Sequence, residues 1–497
     1  MKPKLYYKII FIISLLITTG CNEDFLTLDP TSQMTAESFY ESTDDMYQAL
    51  IGVYDVLQWP AYGDNCVELV SDILSDDSGS GGGSASDNQT LQVLDNYSYS
   101  PAICPDLWSK FYAGVYRANI VIEKMPDVEG ESSVKDRMSA EAYFLRTYFY
   151  YQLWRFYGYI PLYTKNLVPS EYYSVQQVKP DDVYSFLIDQ LDNNVIGKLP
   201  AKSELPATEY ARITNAAAIA LKARIVLYQN DESRMAEIAS QLSSVIENDG
   251  YSLVVDFQSI WLQDGEFCNE SVFEINFTET SQWGDWGNMK GTDGNYHVQV
   301  IGARSLVDPS GTFNSGWGFC PISRNLYNAY PANDQRRDAT ILDADALGWT
   351  YDNTAWQNTG LFSGKYAPRV GYNSTTGGVP VLNYNNNIRV IRYSDVLLMA
   401  AEAILRSNGS MTKAQSYFNL VVHRAYGPTY TETVSLNGIY RERRLEFAME
   451  GIRYWDLVRT QNTTVLGALG WTTAKKYLPI PQTEIDNAQG ALTQFAP

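Results

Sequence analysis

Histidine is nearly absent from this chain: there are 2 in 497 residues, His297 and His423. That leaves little raw material for histidine-based zinc sites or for Ser-His-Asp catalysis. Basic residues are outnumbered, 37 Lys+Arg against 57 Asp+Glu, for a formal net charge of −20. So negative a surface repels phosphate backbones and anionic lipid, which argues against nucleic acid as a partner. Beyond the N-terminus no stretch reaches the roughly 18 apolar residues of a membrane helix. Cysteine is sparse as well, 5 in all. Apart from Cys21 there are Cys66, Cys104, Cys268 and Cys320, whose pairing the sequence does not choose. Such wide, isolated spacing suits buried apolar thiols better than a disulfide framework. What is abundant is aromatic surface, 37 Tyr and 11 Trp. Tyrosine and tryptophan combine an apolar body with a polar tip and so suit contact surfaces.

The first 20 residues have the layout of a secretory signal: Lys2, Lys4 and Lys8, an apolar run over 9–17, then Thr18-Thr19-Gly20. The apolar run is too short to span a bilayer. Cys21 stands where cleavage falls, which points to a lipoprotein whose mature N-terminus carries a diacylglyceryl thioether. The plainer alternative is an ordinary leader with an incidental cysteine, and Thr18 stands where a lipobox usually has Leu. The expectation is a signal peptide over 1–20 and a lipid-anchored chain outside the cytoplasm.

A chain of 497 residues has room for about three ordinary domains and a large core. Apolar residues recur at three-and-four spacing in several long stretches, which predicts amphipathic helices. One runs from Leu107 through Phe111, Val115, Ala118 and Ile122 to Met125, stopped by Pro126. The next runs from Val134 through Met138, Ala142, Leu145, Phe149 and Leu153 to Phe156, ahead of Gly158 and Pro161. Further helices are expected over 39–58, 181–195, 215–229, 235–248, 395–407, 413–426 and 439–449. Ala216, Ala217, Ala218 and Ala220 are small enough for close backbone approach. Paired helices of this kind resemble tetratricopeptide-like hairpins, although no strict 34-residue period is visible. The fold class expected is mainly α: a tetratricopeptide-like helix-pair scaffold with a large loop-rich, ligand-bearing region and few short strands.

Residues 273–390 differ in kind. They are rich in Gly, Asn, Asp, Trp and Tyr and lack helical period over most of their length, with short strand-like runs such as 271–277. A region this long is not idle connection. A second irregular stretch, 75–100, contains Gly79-Ser80-Gly81-Gly82-Gly83-Ser84, which reads as a flexible loop, either a surface excursion or part of a binding face.

Trp283, Trp286, Tyr296, Trp317, Tyr351 and Trp356 all fall in the loop-rich region among Asn, Asp, Gln and Arg. Flat aromatic faces stack on the C–H faces of sugar rings, and amide and carboxylate groups meet ring hydroxyls. These six are the candidate glycan-binding residues. Any single ring could instead fill the core beneath a long loop, but two or three exposed rings rimmed by polar groups mark a site. Acidic abundance does not identify a glycosidase, since some carboxylate pair always lies at a suitable separation. Asp76 and Asp77 are weak candidates for a structural calcium, lacking EF-hand spacing. Arg441-Glu442-Arg443-Arg444-Leu445-Glu446 alternates charge at helical spacing, which predicts ion pairs and not catalysis.

Four stretches together resemble the SusD/RagB family of outer-membrane nutrient-binding lipoproteins of the Bacteroidetes. They are CNEDFLTLDPTSQMTAESFYESTDDMYQALIGVYDVL at 21–57, AEAYFLRTYFYYQLWRFYGYIP at 140–161, IRVIRYSDVLLMAAEAILR with the later IYRERRLEFAMEGIRYWDLVRT ending at 460, and YLPIP at 477–481 with Glu484-Ile485. The resemblance spans the chain from end to end. It implies one domain over 21–497: a helical scaffold at about 34–272 and 391–460, the loop-rich region at about 273–390 and a tail at 461–497. It also implies a binding protein and not an enzyme, tethered to the cell outer membrane and facing outward. Its partner would be a SusC-like TonB-dependent transporter over which it closes as a lid, and its ligand most often an oligosaccharide. Glu23 and Asp24 resemble the family's export signal, and Arg443, Glu446, Trp455 and Asp456 match scaffold motifs. Peptide or glycopeptide capture is the alternative on the same scaffold, and glycoside hydrolysis a more distant one. No cofactor is expected beyond the candidate calcium.

Overall fold

The computed structural model describes residues 40–60, 66–280, 286, 293–373 and 377–494. Helix α1 (Thr43–Gln58) starts later than the apolar spacing predicts because Ser42 caps it. The Ser42 hydroxyl accepts from Asp45 N at 3.2 Å and the Asp45 carboxylate accepts from Ser42 N at 2.9 Å. This reciprocal box satisfies two amides at the helix end. There follow α2 (Val67–Ile73), α3 (Gln89–Asp95), α4 (Trp108–Lys124), α5 (Ser132–Tyr157), α6 (Pro180–Asn194), α7 (Asn215–Gln229) and α8 (Met235–Asn248). The irregular region carries three short helices, α9 (Tyr296–Ile301), α10 (Arg324–Ala329) and α11 (Arg336–Thr340). The chain then resumes with α12 (Tyr393–Arg406), α13 (Met411–Tyr426), α14 (Leu436–Glu446), α15 (Arg453–Arg459), α16 (Thr464–Gly467) and α17 (Gln482–Asn487).

The mainly helical class expected from the sequence is what the chain adopts. Consecutive helices pack as pairs, α4 on α5, α7 on α8 and α12 on α13, with α1 against α4 and α8 against α12. Close approach requires small residues at the contacts. A Cβ on Gly114 of α4 would lie 2.4 Å from the Phe149 ring of α5. Ala216, Ala217, Ala218 and Ala220 are all fully buried in α7, as their size suggests. Helices α2, α3 and α15 escaped the periodicity argument: at 7 residues each they complete too few turns, and α2 is buried on every side.

Strands are short. β1 (Ile160–Pro161) pairs with β2 (Gln177–Val178), β3 (Ser271–Ile275) with β6 (Ile388–Arg392), and β4 (Ile341–Asp343) with β5 (Leu361–Ser363), all antiparallel. The β3–β6 pair is the stem of the loop-rich region. Everything between them leaves the helical scaffold through one strand and returns through the other.

A buried charge network joins stem, loops and helices. Arg392 of β6 reaches Glu270 at 2.5 Å, Glu446 at 2.8 Å and Glu450 at 2.8 Å. Arg336 of α11 pairs with Asp334 at 2.7 Å, Glu442 at 2.8 Å and Glu446 at 3.2 Å, and Arg424 of α13 also contacts Glu446. Burial would raise the Glu446 pKa, but Arg424, Arg392 and Arg336 hold it well below the ordinary carboxylate range. The 441–446 segment thus makes ion pairs, as its charge alternation predicts. Cys66, Cys104, Cys268 and Cys320 are thiols, with no disulfide among the described residues.

Candidate functional site

Three of the six candidate rings come together. Tyr296 is the first residue of α9, whose cap Asn295 is anchored to the chain leading into β6: Asn295 N donates to Tyr384 O at 2.7 Å and Asn295 Nδ2 to Asn386 O at 2.6 Å. Residues 316–319 run beside α9 and the turn after it, with Gly316 N donating to Ala303 O at 2.8 Å, Trp317 N to Gln299 O at 3.0 Å and Gly318 N to Gly302 O at 2.8 Å. This approach needs glycine, because a Cβ on Gly316 would lie 2.3 Å from the Gly302 Cα. The result sets the Trp317 ring at 5.3 Å and 75° to Tyr296. Trp286 stacks on Trp317 at 5.9 Å and 19° and meets Tyr296 edge-on at 6.1 Å and 86°. Tyr296 is buried, Trp317 half-buried and Trp286 47% exposed, so the cluster is a graded platform rooted in the core and open at Trp286. Behind Tyr296 a cavity of 30 Å³, lined also by His297, Lys110 and Glu68, is too small for a sugar ring. Burial pushes His297 down to about 3 and Lys110 down to about 8.

Tyr351 and Trp356 do not stack with these three rings. Tyr351 is half-buried, edge-on to Phe362 at 6.0 Å, and its hydroxyl donates to Asp345 at 3.0 Å beside a small core of Ala303, Ala344, Trp349 and Phe362. Trp356 is 42% exposed, and its backbone amide donates to Gly82 O at 3.0 Å. Trp283 and the lipidation candidate Cys21 lie outside the described residues.

The glycine run, read as a flexible loop from composition, is a fitted strap. Gly82 N donates to Gly318 O at 2.9 Å, Gly81 N to Gln357 Oε1 at 3.1 Å and Cys320 N to Ser80 O at 3.0 Å. Gly82 has φ +94°, and a Cβ there would lie 2.5 Å from the Phe319 ring. Both the left-handed backbone and the clearance require glycine. Beside this strap Arg304 donates to Trp317 O at 3.3 Å and lies 3.7 Å from Asp87 and 3.9 Å from Asp352. This polar rim was not read from the sequence.

Asp76 pairs with Arg453 at 2.8 Å and Asp77 with Arg444 at 2.6 Å. Both carboxylates face guanidinium cations instead of an oxygen cage, an arrangement that does not fit calcium. Among the described residues no group of three His, Cys, Asp or Glu could hold a metal.

The chain belongs to the SusD family. Residues 269–470 match the profile described as SusD family, and residues 24–227 match one described as "Starch-binding associating with outer membrane". Among solved structures, a "Laminarin binding SusD-like protein" is 35% identical with a TM-score of 0.85, covering 92% of this chain and 99% of its own. Surface glycan-binding protein A from Bacteroides thetaiotaomicron, solved in complex with laminarihexaose, is also 35% identical, with a TM-score of 0.83 and 91% and 99% covered. A curated relative, SusD-like protein P2 of Formosa agariphila, is 27% identical over 96% of this chain and 97% of its own. Among the described residues no helix is long and apolar enough to cross a membrane.

Proposed function

We propose that this protein binds neutral glycan at the outer face of an outer membrane, with laminarin-type glucan as the leading ligand, and passes it to a SusC-like TonB-dependent transporter. The observation that carries this reading is the stacked Trp286–Trp317 pair, 5.9 Å apart, with Tyr296 edge-on and Arg304 alongside. An exposed indole face receives the C–H face of a pyranose, and the charged rim meets its hydroxyls. The laminarin-binding neighbour and the one solved with laminarihexaose support the choice of sugar. Each sugar contact is weak, since hydrogen bonds to water are exchanged for hydrogen bonds to protein. A lipid on Cys21 offsets that weakness by holding the site beside the transporter.

The role is capture without turnover. A glycosidase needs an acid with raised pKa facing a second carboxylate across the scissile bond. Asp87 and Asp352, the carboxylates at the rim, flank the same arginine, and hydrogen bonds from Thr354 hold Asp352 below its usual range. A glycan and peptide panel tests the assignment. The expected result is binding of laminarin oligosaccharides with no new reducing ends and co-purification with a TonB-dependent barrel from outer membranes. Binding confined to peptides would replace the reading with peptide capture. Turnover abolished by one carboxylate substitution would replace it with hydrolysis.

A further inference from the structure

Deep in the helical scaffold, where α5, α7, α14 and α15 meet, lies a cavity of 30 Å³ that shares no residue with the platform. Its wall is formed by Arg155 of α5, Arg224 of α7, Arg443 of α14, and Trp455, Asp456 and Arg459 of α15. A space of that size holds one or two atoms as large as a water oxygen, and no sugar ring.

Guanidinium donors outnumber the acceptors around it. Arg155 Nε donates to Gln152 Oε1 at 2.8 Å, and neither terminal nitrogen of Arg155 has an acceptor among the described residues. Arg224 donates through Nε to Asp395 and through Nη2 to Val390 O, both at 2.7 Å, which leaves Nη1. Arg443 donates through Nε to Asp456 at 2.7 Å and through Nη1 to Asp395 at 2.5 Å, which leaves Nη2. None of these unpaired nitrogens is fully occluded: each keeps accessible surface, on a side chain that lines the cavity. Both oxygens of Asp456 already accept a guanidinium N–H, Oδ2 from Arg443 and Oδ1 from Arg459.

Charge points the same way. Arg155 is buried and makes no ion pair among the described residues; its guanidinium lies 4.5 Å from the Trp455 ring centre and 4.9 Å from that of Tyr151. Stacking covers the faces of the guanidinium plane and leaves the N–H groups at its edge. Arg224 and Arg443 share Asp395, Arg443 and Arg459 share Asp456, and Glu402 is divided between Arg459 and Arg406. Positive charge is therefore in local excess inside a chain of net charge −20. An uncompensated buried cation is costly, and a small anion offsets that cost. Water satisfies some of the donors but brings no charge and needs acceptors of its own, whereas a monatomic anion only accepts. We infer that this cavity is a halide site, taking chloride, which ties α5 to α7, α14 and α15.

The test titrates sodium chloride or sodium bromide against sodium gluconate, whose anion is too large for the cavity, at constant ionic strength on the purified full chain. The expected result is a melting temperature that rises saturably with either halide, by about 2 °C or more, and a response lost in Arg155→Gln. A melting temperature equal in all three salts, or a halide response that Arg155→Gln retains, overturns the site. Crystals of the native protein soaked in bromide give a readout that needs no variant. The expected result is an anomalous peak in the cavity at hydrogen-bond distance from the terminal nitrogens of Arg155. Bromide at surface positions only, or water alone in the cavity, overturns the site even if Arg155→Gln fails to fold. Neither readout involves Trp286 or Trp317, so the glycan reading stands or falls separately.

Discussion

Along α5, Phe144, Tyr148, Phe149, Tyr150, Tyr151, Trp154, Phe156 and Tyr157 are all buried, while between β3 and β6 Trp286 is 47% and Trp356 42% exposed. The two regions use the same residue types for different ends. Along α5 neighbouring helices close over these rings, and several meet a neighbour edge-on, as Trp154 does with Tyr228. In the loop-rich region the helices are too short to repeat a face, so glycines bring backbones together, and while rings such as Tyr366 and Tyr384 are buried, Trp286 and Trp356 are left at the rim. The same irregularity that costs the loops periodic packing leaves aromatic faces available to a ligand. What holds such loops in one conformation is the scaffold: the β3–β6 stem, the Arg392 and Arg336 charge network and the glycine strap over Phe319.

Breaking the junction should have the largest effect. Glu446→Ala leaves Arg392, Arg336 and Arg424 short of a buried partner, and removing one member of a buried ion network costs about 3–5 kcal/mol. Denaturant unfolding should show that loss in a single transition, because stem and helices share the residue. Separate transitions for helix content and tryptophan environment would mean that the two regions are stabilised independently.

A substitution inside the loops should separate the regions. Gly316→Val forces its side chain onto the Gly302 backbone and should cost about 1–3 kcal/mol by overpacking. Helical circular dichroism should persist while glycan affinity falls. Asp395, in α12, probes the scaffold side, where it pairs with Arg224 of α7 and Arg443 of α14. Burial would raise its pKa, but Arg224 and Arg443 outweigh burial and hold it at about 2. Because the folded value is depressed below the ordinary 3.9 or so, the group adds stability above that pH and loses it as pH falls toward 2, a swing of about 2 kcal/mol. The stability gap between the native protein and Asp395→Asn should therefore narrow between about pH 5 and pH 2, as read by urea midpoints. Tyr351→Phe should matter least: it removes one hydrogen bond to Asp345, costs about 1 kcal/mol or less, and leaves glycan affinity unchanged. A large loss of affinity would enlarge the platform to include Tyr351.

The two regions were unequally legible in the sequence. Helices α7 and α8 occupy the spans that apolar spacing predicts, because a long amphipathic helix repeats its signal over several turns. The 271–277 strand signal was visible, but its partner was not. β6 lies more than a hundred residues later, and its buried arginines Arg389 and Arg392 disguise a core strand. Composition found the region that bears the platform, and Trp286, Tyr296 and Trp317 do meet there. It did not separate them from Tyr351, since core and rim tryptophans and tyrosines are chemically alike and differ only in what folds over them. The glycine run was misread as mobile because the ring that makes glycine necessary, Phe319, is distant in sequence.

The most direct test of the central claim, that a loop-borne aromatic platform held by the helical scaffold binds the glycan chain, is calorimetric titration of laminarihexaose. It compares the native protein with Trp286→Ala/Trp317→Ala. The expected result is measurable binding by the native protein and at least about a tenfold loss in the double variant, about 1.4 kcal/mol, with its melting temperature little changed. Equal affinity in a double variant that melts like the native protein would contradict the account.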